Sequence, residues 1–462
     1  MTDVPIAGSF RDPHGQVFTR GGLVHRLVTA EGARDYEQLM GSGLYDALVS
    51  ERLLVEHAEV DDPQVHAVDA AVERVLLPAQ VPFISYPWEW CPGQLRAAAL
   101  ATLRAQELAL DHGMSLRDAS AFNVQFLGGR PVLIDTSSFG VRPEGDPWVA
   151  YRQFCQHFLA PLALACIVDV RLLGLLRAHL DGLPLDLAAT LLPARTKLRP
   201  GLAVHLHAHA RSQRRHADDP GSRSSARGRF SLQSFRGLVD SLRGAVSGLE
   251  WEPQASAWND YYDAAASYAP AAAQAKESLV GELLDEIAPD TVWDLGANTG
   301  RFSRLAAARG ATVVALEGDP SSVETCWRQL VAEEQNRVLP LVCDLTNPTP
   351  ATGWAHRERM SLVERGPADC VLALALVHHL AIGGNVPLPH IMELCARLGR
   401  WLVIEFVPKD DPMVQRLLAT REDVFSGYTQ AAFEAAADVH YDLRRQVEVP
   451  GSTRTLYLLQ RR

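Results

Sequence analysis

The sequence predicts an α/β chain, with a doubly wound, largely parallel sheet in its C-terminal part and a separate α+β half before it. Three observations carry that expectation. At 462 residues the chain is longer than one hydrophobic core supports. Beyond about residue 275, strand-like TVWDL, VVAL, RVLPLVC, CVLALAL and WLVIEF alternate with helical segments at the spacing of β-α-β units. Before about residue 195, short β-like pieces (GQVF, LVHRLV, NVQFLGG, PVLIDT) mix with helical patterns at Gly43 to Val60 and Gly93 to His112.

These zones divide the chain into an α+β domain over 1–200, a flexible linker and helix over 201–250, and the doubly wound domain over 251–462. The linker follows from His205 to Arg229, polar and rich in Arg, Ser, Gly and Asp, ahead of a helical pattern at about 230–248. QVEVP, a turn at Gly451 and Ser452, and TLYLLQ predict a hairpin that finishes the sheet.

With 47% hydrophobic and 21% charged residues the composition is that of a soluble globular protein. A net charge of -11 supplies no positive field for a nucleic-acid backbone, so no nucleic-acid partner is expected and a small or neutral substrate fits better. Seven scattered cysteines without a CxxC pair argue against a disulfide framework or zinc site and for a reducing cytoplasm. The N-terminus lacks a basic region followed by an apolar core, which predicts no signal peptide, and the apolar run Phe158 to Val168 is about half a membrane span. His205, His207 and His209 alternate as on one face of a strand, but their neighbours read as helix or coil, so no metal is assigned to them.

The most informative stretch is VWDLGANTG, Val292 to Gly300, where a buried strand enters a glycine turn and then an amphipathic helix. Gly296 and Gly300 permit a tight turn and close approach of a ligand, with Ala297 and Asn298 between them. Asp294 before the first glycine repels a pyrophosphate but suits the ammonium of a methionine moiety, so the sign of its charge favours S-adenosylmethionine over a dinucleotide. The next two strands end in Glu317, suited to both hydroxyls of a ribose, and Asp344, suited to an adenine amino group. His378 and His379 follow the fourth strand as candidate catalytic bases, and Glu405 ends the fifth, with Lys409, Asp410 and Asp411 beyond it as candidate substrate contacts. Tyr262 and Lys276, with Asp260, Tyr261 and Tyr268, precede the glycine turn as a candidate lid over the cofactor, and Val386 to His390 is a candidate pocket wall.

Together these segments resemble the class I, Rossmann-like methyltransferase superfamily over about 275–462. The resemblance implies that Asp294, Gly296, Asn298 and Gly300 form the first cofactor motif, with Glu317 the ribose acid and Asp344 the adenine acid. LALVHHL stands where amino methylases carry an Asn/Asp-Pro-Pro-aromatic motif, which disfavours methylation of a nucleobase amino group.

In the N-terminal half, LRDASAFN and PVLID resemble the catalytic and metal-binding loops of the protein-kinase-like fold. By that resemblance Asp118 matches the catalytic aspartate, Asn123 the metal-binding asparagine and Asp135 the aspartate opening the metal loop, a set that would hold ATP and Mg. The only lysines are Lys197, Lys276 and Lys409, so the usual phosphate-holding lysine is absent, and Arg26 is its candidate replacement, paired with Glu51 or Glu56. Whole-chain features such as SYPWEW and EFVPKDDPMVQRLL resemble bacterial methyltransferases of the NoeA type, related to nodulation proteins. The expected activity is S-adenosylmethionine-dependent methyl transfer to a small molecule or peptide, oxygen being the favoured acceptor. The alternatives are a bifunctional enzyme whose N-terminal half uses ATP and Mg to phosphorylate or activate the substrate, and a non-catalytic kinase-like half that recruits a carrier or peptide.

Overall fold

The computed structural model describes residues 3–61, 72–208, 230–253, 270–419 and 421–462. The chain forms two compact units, one of Met1–Trp251 with Thr352–Arg359, the other of Glu252–Ala351 with Met360–Arg462.

The first unit opens with strands β1 (Asp3–Pro5), β2 (Gly15–Arg20), β3 (Leu23–Thr29), β4 (His57–Glu59) and β5 (Val72–Pro78), paired antiparallel in the order β1-β2-β3-β5-β4. Phe18, Leu27 and Val75, all fully buried or nearly so, form the core of that sheet. Helices Ala30–Gly41 and Leu44–Ser50 lie between β3 and β4. The helical pattern at Gly43 to Val60 is therefore correct only as far as Ser50. Arg52 adopts a left-handed conformation (φ 57°), and His57–Glu59 pairs with β5 instead, because edge pairing satisfies backbone groups that a longer helix would take up internally.

Helix Pro92–Asp111 starts with proline in its first turn, where a missing N–H costs nothing, and the Gln94 side chain accepts from the Cys91 amide at 3.0 Å. Two small antiparallel sheets follow: β6 (Met114–Leu116) pairs with β9 (Phe139–Val141), and between them in the chain β7 (Val124–Leu127) and β8 (Arg130–Leu133) form a hairpin through left-handed Gly128 and Gly129. Their loops carry Asp118, Asn123 and Asp135. Ala203–Ala208 forms a wide helical turn in which His205 bonds to Tyr151 Oη and Ser241 Oγ, each at 2.8 Å, and His207 bonds to Thr196 Oγ1 at 2.8 Å. These hydrogen bonds give both histidines structural partners; His209 lies outside the described residues. Helix Leu232–Ser247 buries Phe235, Val239, Leu242 and Val246, the three-to-four spacing of one helix face.

The second unit is a seven-stranded sheet. Its strands are β10 (Thr291–Leu295), β11 (Thr312–Glu317), β12 (Val338–Val342), β13 (Ala368–Ala373), β14 (Gly399–Phe406), β15 (Tyr441–Glu448) and β16 (Thr455–Arg461), in the order β12-β11-β10-β13-β14-β16-β15. β10 to β14 are parallel and the terminal hairpin β15–β16 is antiparallel. The near-continuous apolar runs of β10, β11 and β13 follow from helices covering both faces of a parallel sheet. The strand order reverses between β10 and β13, so a crevice opens beyond their C-terminal ends, where open α/β sheets bind ligands. Among the described residues no helix is long and apolar enough to cross a membrane.

Candidate active site

β10 leaves the sheet at Leu295 and turns into helix Arg301–Ala307 through three left-handed residues, Gly296 (φ 72°), Asn298 (φ 51°) and Gly300 (φ 81°). The amides of Gly296 and Ala297 both donate to Leu316 O, at 2.8 and 3.1 Å, which fixes the turn against β11. A Cβ on Gly300 would stand 2.7 Å from Cys326 Sγ. Gly300→Ala therefore combines backbone strain with a clash, and it is expected to destabilise the second unit by about 1–3 kcal/mol in chemical unfolding.

Asp294 lies beneath the turn, buried, and accepts a 2.6 Å hydrogen bond from Ser303 Oγ. Burial pushes its carboxyl up to about 6. An acid raised in the native state binds its proton more tightly there than in the unfolded chain, so its ionisation costs stability as pH rises from 3.8 to about 6. Asp294→Asn is expected to remove that loss, seen as the difference between the two stability–pH curves across this window.

A cavity of about 610 Å³ sits in the crevice, lined among others by Gly296, Asn298, Glu317, Asp344, Ala375 and His379. Glu317 is pinned by two backbone amides, Asn298 N to Oε2 and Asp319 N to Oε1, each at 2.9 Å. Burial raises its carboxyl and the two amides oppose that shift. Each oxygen has a second lone pair for a ligand hydroxyl. Asp344 Oδ1 accepts from the Thr346 amide and hydroxyl, at 2.8 and 2.7 Å, which orients this exposed carboxylate on the cavity wall.

The other candidates are placed differently. Ala297 and Gly300 shape the turn but are not among the cavity-lining residues, and neither are Lys276, His378 and Glu405. Lys276 Nζ meets Glu405 Oε2 at 2.6 Å, the same oxygen accepts from Ala375 N at 2.6 Å, and both side chains are buried. Burial pulls the Lys276 ammonium down while Glu405 opposes the shift. Arg454, from the terminal hairpin, stands 3.8 Å from Glu405 and pairs with Asp411 at 2.7 Å. Glu405 thus lies within a buried ion network behind the cavity wall. Arg454 has no local sequence signal, since a lone arginine in a hairpin turn reads as solvated.

His378 is fully buried with neither ring nitrogen hydrogen-bonded, while the His379 ring lies tilted against it, 4.1 Å between centroids, and lines the cavity. Burial, then the charge of Arg454, holds His379 down at about 4, and burial holds His378 well below the usual histidine range. Lys409 pairs with Asp423 at 2.7 Å, and of Val386 to His390 all but His390 line a second cavity of about 380 Å³ with Phe425 and Tyr428. Tyr262, Asp260, Tyr261 and Tyr268 lie outside the described residues.

In the first unit, Asp135 is buried and accepts from Arg26 Nη1, from Ser137 N at 2.9 Å and Oγ at 2.6 Å, and from Ser138 Oγ at 2.9 Å. Burial pushes its carboxyl up, but Arg26 and these donors outweigh it and hold the group below its usual range. Arg26 therefore pairs with Asp135 and not with Glu51 or Glu56. Glu51 is held by Arg104 at 2.6 Å, because the short helix Leu44–Ser50 turns it toward helix Pro92–Asp111. Asp118 accepts from Ser120 N at 2.9 Å and Gln153 Nε2 at 2.7 Å, and burial, then Asp135, raises its carboxyl. Asn123 Nδ2 donates to Ser138 Oγ at 3.0 Å, joining the three sites into one network.

No known family profile matches the chain. Among solved structures, the bifunctional kinase-methyltransferase WbdD is 17% identical over 46% of this chain and 45% of its own, with a TM-score of 0.30. The N-methyltransferase NodS of Bradyrhizobium japonicum WM9 is 10% identical over 42% of this chain and 97% of its own, TM-score 0.31. Scores of that size do not define a fold; the strand order does. In sequence, the chain is 36% identical over 460 residues to nodulation protein NoeA of Rhizobium meliloti (strain 1021), covering 99% of this chain and 96% of that one. On this whole-length similarity the chain belongs to the NoeA family of nodulation proteins.

Proposed function

We propose that the second unit is an S-adenosylmethionine-dependent methyltransferase acting on a small molecule or peptide, with oxygen the favoured acceptor. The observation that carries this is the cavity at the strand-order reversal, with Glu317 presented on two backbone amides and Asp344 on the neighbouring strand end. The donor set fits the cofactor: Glu317 would hold the ribose hydroxyls, Asp344 the adenine amino group, and the turn at Gly296 the close approach of the ligand chain. When bound, S-adenosylmethionine supplies a methyl group on a sulfonium. The protein's part is to position the acceptor and exclude water. His379, neutral at pH 7 and facing the cavity, accepts a hydrogen bond from an acceptor hydroxyl; at about 4 it is too weak a base to ionise one beforehand.

Titration calorimetry with S-adenosylmethionine and S-adenosylhomocysteine tests the assignment. Saturable binding, lost on substituting the acids of the cavity, upholds it; no binding of either compound refutes it.

A second reading concerns the first unit, a kinase-like half that recruits a carrier or peptide without phosphorylating it. It is favoured by Asp135, whose two oxygens already accept four donors from Arg26, Ser137 and Ser138. Coordination of Mg would have to displace Arg26. A Mg-dependent transfer of phosphate from ATP to any acceptor, abolished by Asp135→Asn, would overturn this reading in favour of the bifunctional enzyme.

A further inference from the structure

Within the first unit, Phe122 follows Asp118 in the loop ahead of β7, and three aromatic rings surround it: Tyr86 at 6.4 Å, Trp88 at 5.8 Å and His157 at 5.9 Å between centroids. The guanidinium of Arg359 lies over the Phe122 ring, 4.1 Å from its centroid. Arg359 belongs to Thr352–Arg359, the segment far downstream in sequence that is part of this unit.

Its partners do not balance its charge. Nη1 donates to the Glu358 carbonyl at 2.9 Å, while Nε is buried with no hydrogen-bond partner. The adjacent carboxylate of Glu358 is already taken by Arg11, at 2.6 and 3.2 Å. Burial lowers the Arg359 guanidinium from its usual range, opposed by Tyr86, Glu358 and Asp118. On another side of Phe122, His157 is buried and its Nδ1 has no partner. Burial and the charge of Arg359 hold that ring neutral, down at about 4, so it is an uncharged hydrogen-bonding group. An unpaired guanidinium Nε and an unpaired imidazole nitrogen beside one ring are costly unless a ligand satisfies them.

We propose that Arg359, over the ring of Phe122, is an anion-binding position of the first unit that takes a phosphate-bearing small molecule. A guanidinium carries N–H groups that match two oxygens of an oxyanion in parallel hydrogen bonds. In the field of the guanidinium a phosphate dianion gains about twice the Coulomb attraction of a carboxylate monoanion, and the charge of Asp118 weakens that attraction for both. The site does not depend on the methyltransferase reading, since none of its residues lines the cavity of the second unit.

The test is titration calorimetry of the full chain with inorganic pyrophosphate, with ADP as a second probe and acetate at matched ionic strength as control. Saturable binding of pyrophosphate but not acetate is expected, weakened about tenfold or more by Arg359→Met and retained in part by Arg359→Lys. Tighter binding of ADP than pyrophosphate, with the same loss in Arg359→Met, upholds the position and identifies a nucleotide as the source of the phosphate. Asp118→Asn, which removes a repelling charge and keeps Arg359 in place, is expected to tighten pyrophosphate binding several-fold. No saturable binding by the unsubstituted protein, undiminished binding in Arg359→Met, or weaker binding in Asp118→Asn overturns the proposal.

Discussion

Replacing Glu317 with Ala is expected to lower the affinity for S-adenosylhomocysteine by about 100-fold or more, the largest binding effect of any single change in the second unit. The carboxylate would accept two ribose hydroxyls, and each hydrogen bond to a charged group contributes about 1.5–3 kcal/mol. The same substitution also strips acceptors from the Asn298 and Asp319 amides, which loosens the turn and the start of the following helix. Glu317→Gln separates the two effects. Its single carbonyl oxygen satisfies one amide, while its NH2 group faces the other donor, so an intermediate loss is expected. Calorimetry on the three proteins, with thermal unfolding of the ligand-free forms as the measure of folding, decides the matter. Unchanged affinity in folded Glu317→Ala would remove Glu317 from the ribose role.

Asp344→Ala is a smaller change on the same wall, because its carboxylate is exposed and hydrogen bonds there compete with water. The pair makes plain which parts of the site were legible in the sequence. Gly296, Glu317 and Asp344 each sit at the end of an apolar run that could only be a buried strand, so chain periodicity alone placed them together. Their supporting partners were not legible in that way. Lys276 and Glu405 are far apart in the chain and are joined only when the helix before β10 packs near the end of β14. Arg26 finds Asp135 across the first unit, although nearer acids were available in sequence. Thr352–Arg359 is a short polar stretch between two strands that reads as an ordinary loop, so nothing local marks it as part of the other unit. A local pattern reports which face of an element is buried; it does not report which charge will be met there.

The buried network behind the cavity is where that distinction has its largest consequence. Glu405→Ala is expected to destabilise the second unit by about 3–5 kcal/mol, because it leaves Lys276 and Arg454 buried together and removes the acceptor of the Ala375 amide. Ala375 is left-handed (φ 52°) and lines the cavity, so the loss reaches the site as well as the fold. Lys276→Met alone leaves Glu405 with the more distant Arg454, itself held by Asp411, and is expected to cost less. The double substitution Lys276→Met with Glu405→Gln removes both charges and keeps an oxygen for Ala375. It is expected to recover most of the stability lost in Glu405→Ala, since taking away a whole buried pair costs far less than orphaning one member. Chemical unfolding of these proteins, together with Glu405→Gln alone, closes the double-mutant cycle and measures the coupling. If the double variant were as unstable as Glu405→Ala, the carboxylate's role would lie in packing rather than charge balance. Recovery of stability without recovery of S-adenosylhomocysteine affinity would show that the Lys276–Glu405 pair acts on the cofactor through its charges, from behind the wall that Ala375 forms.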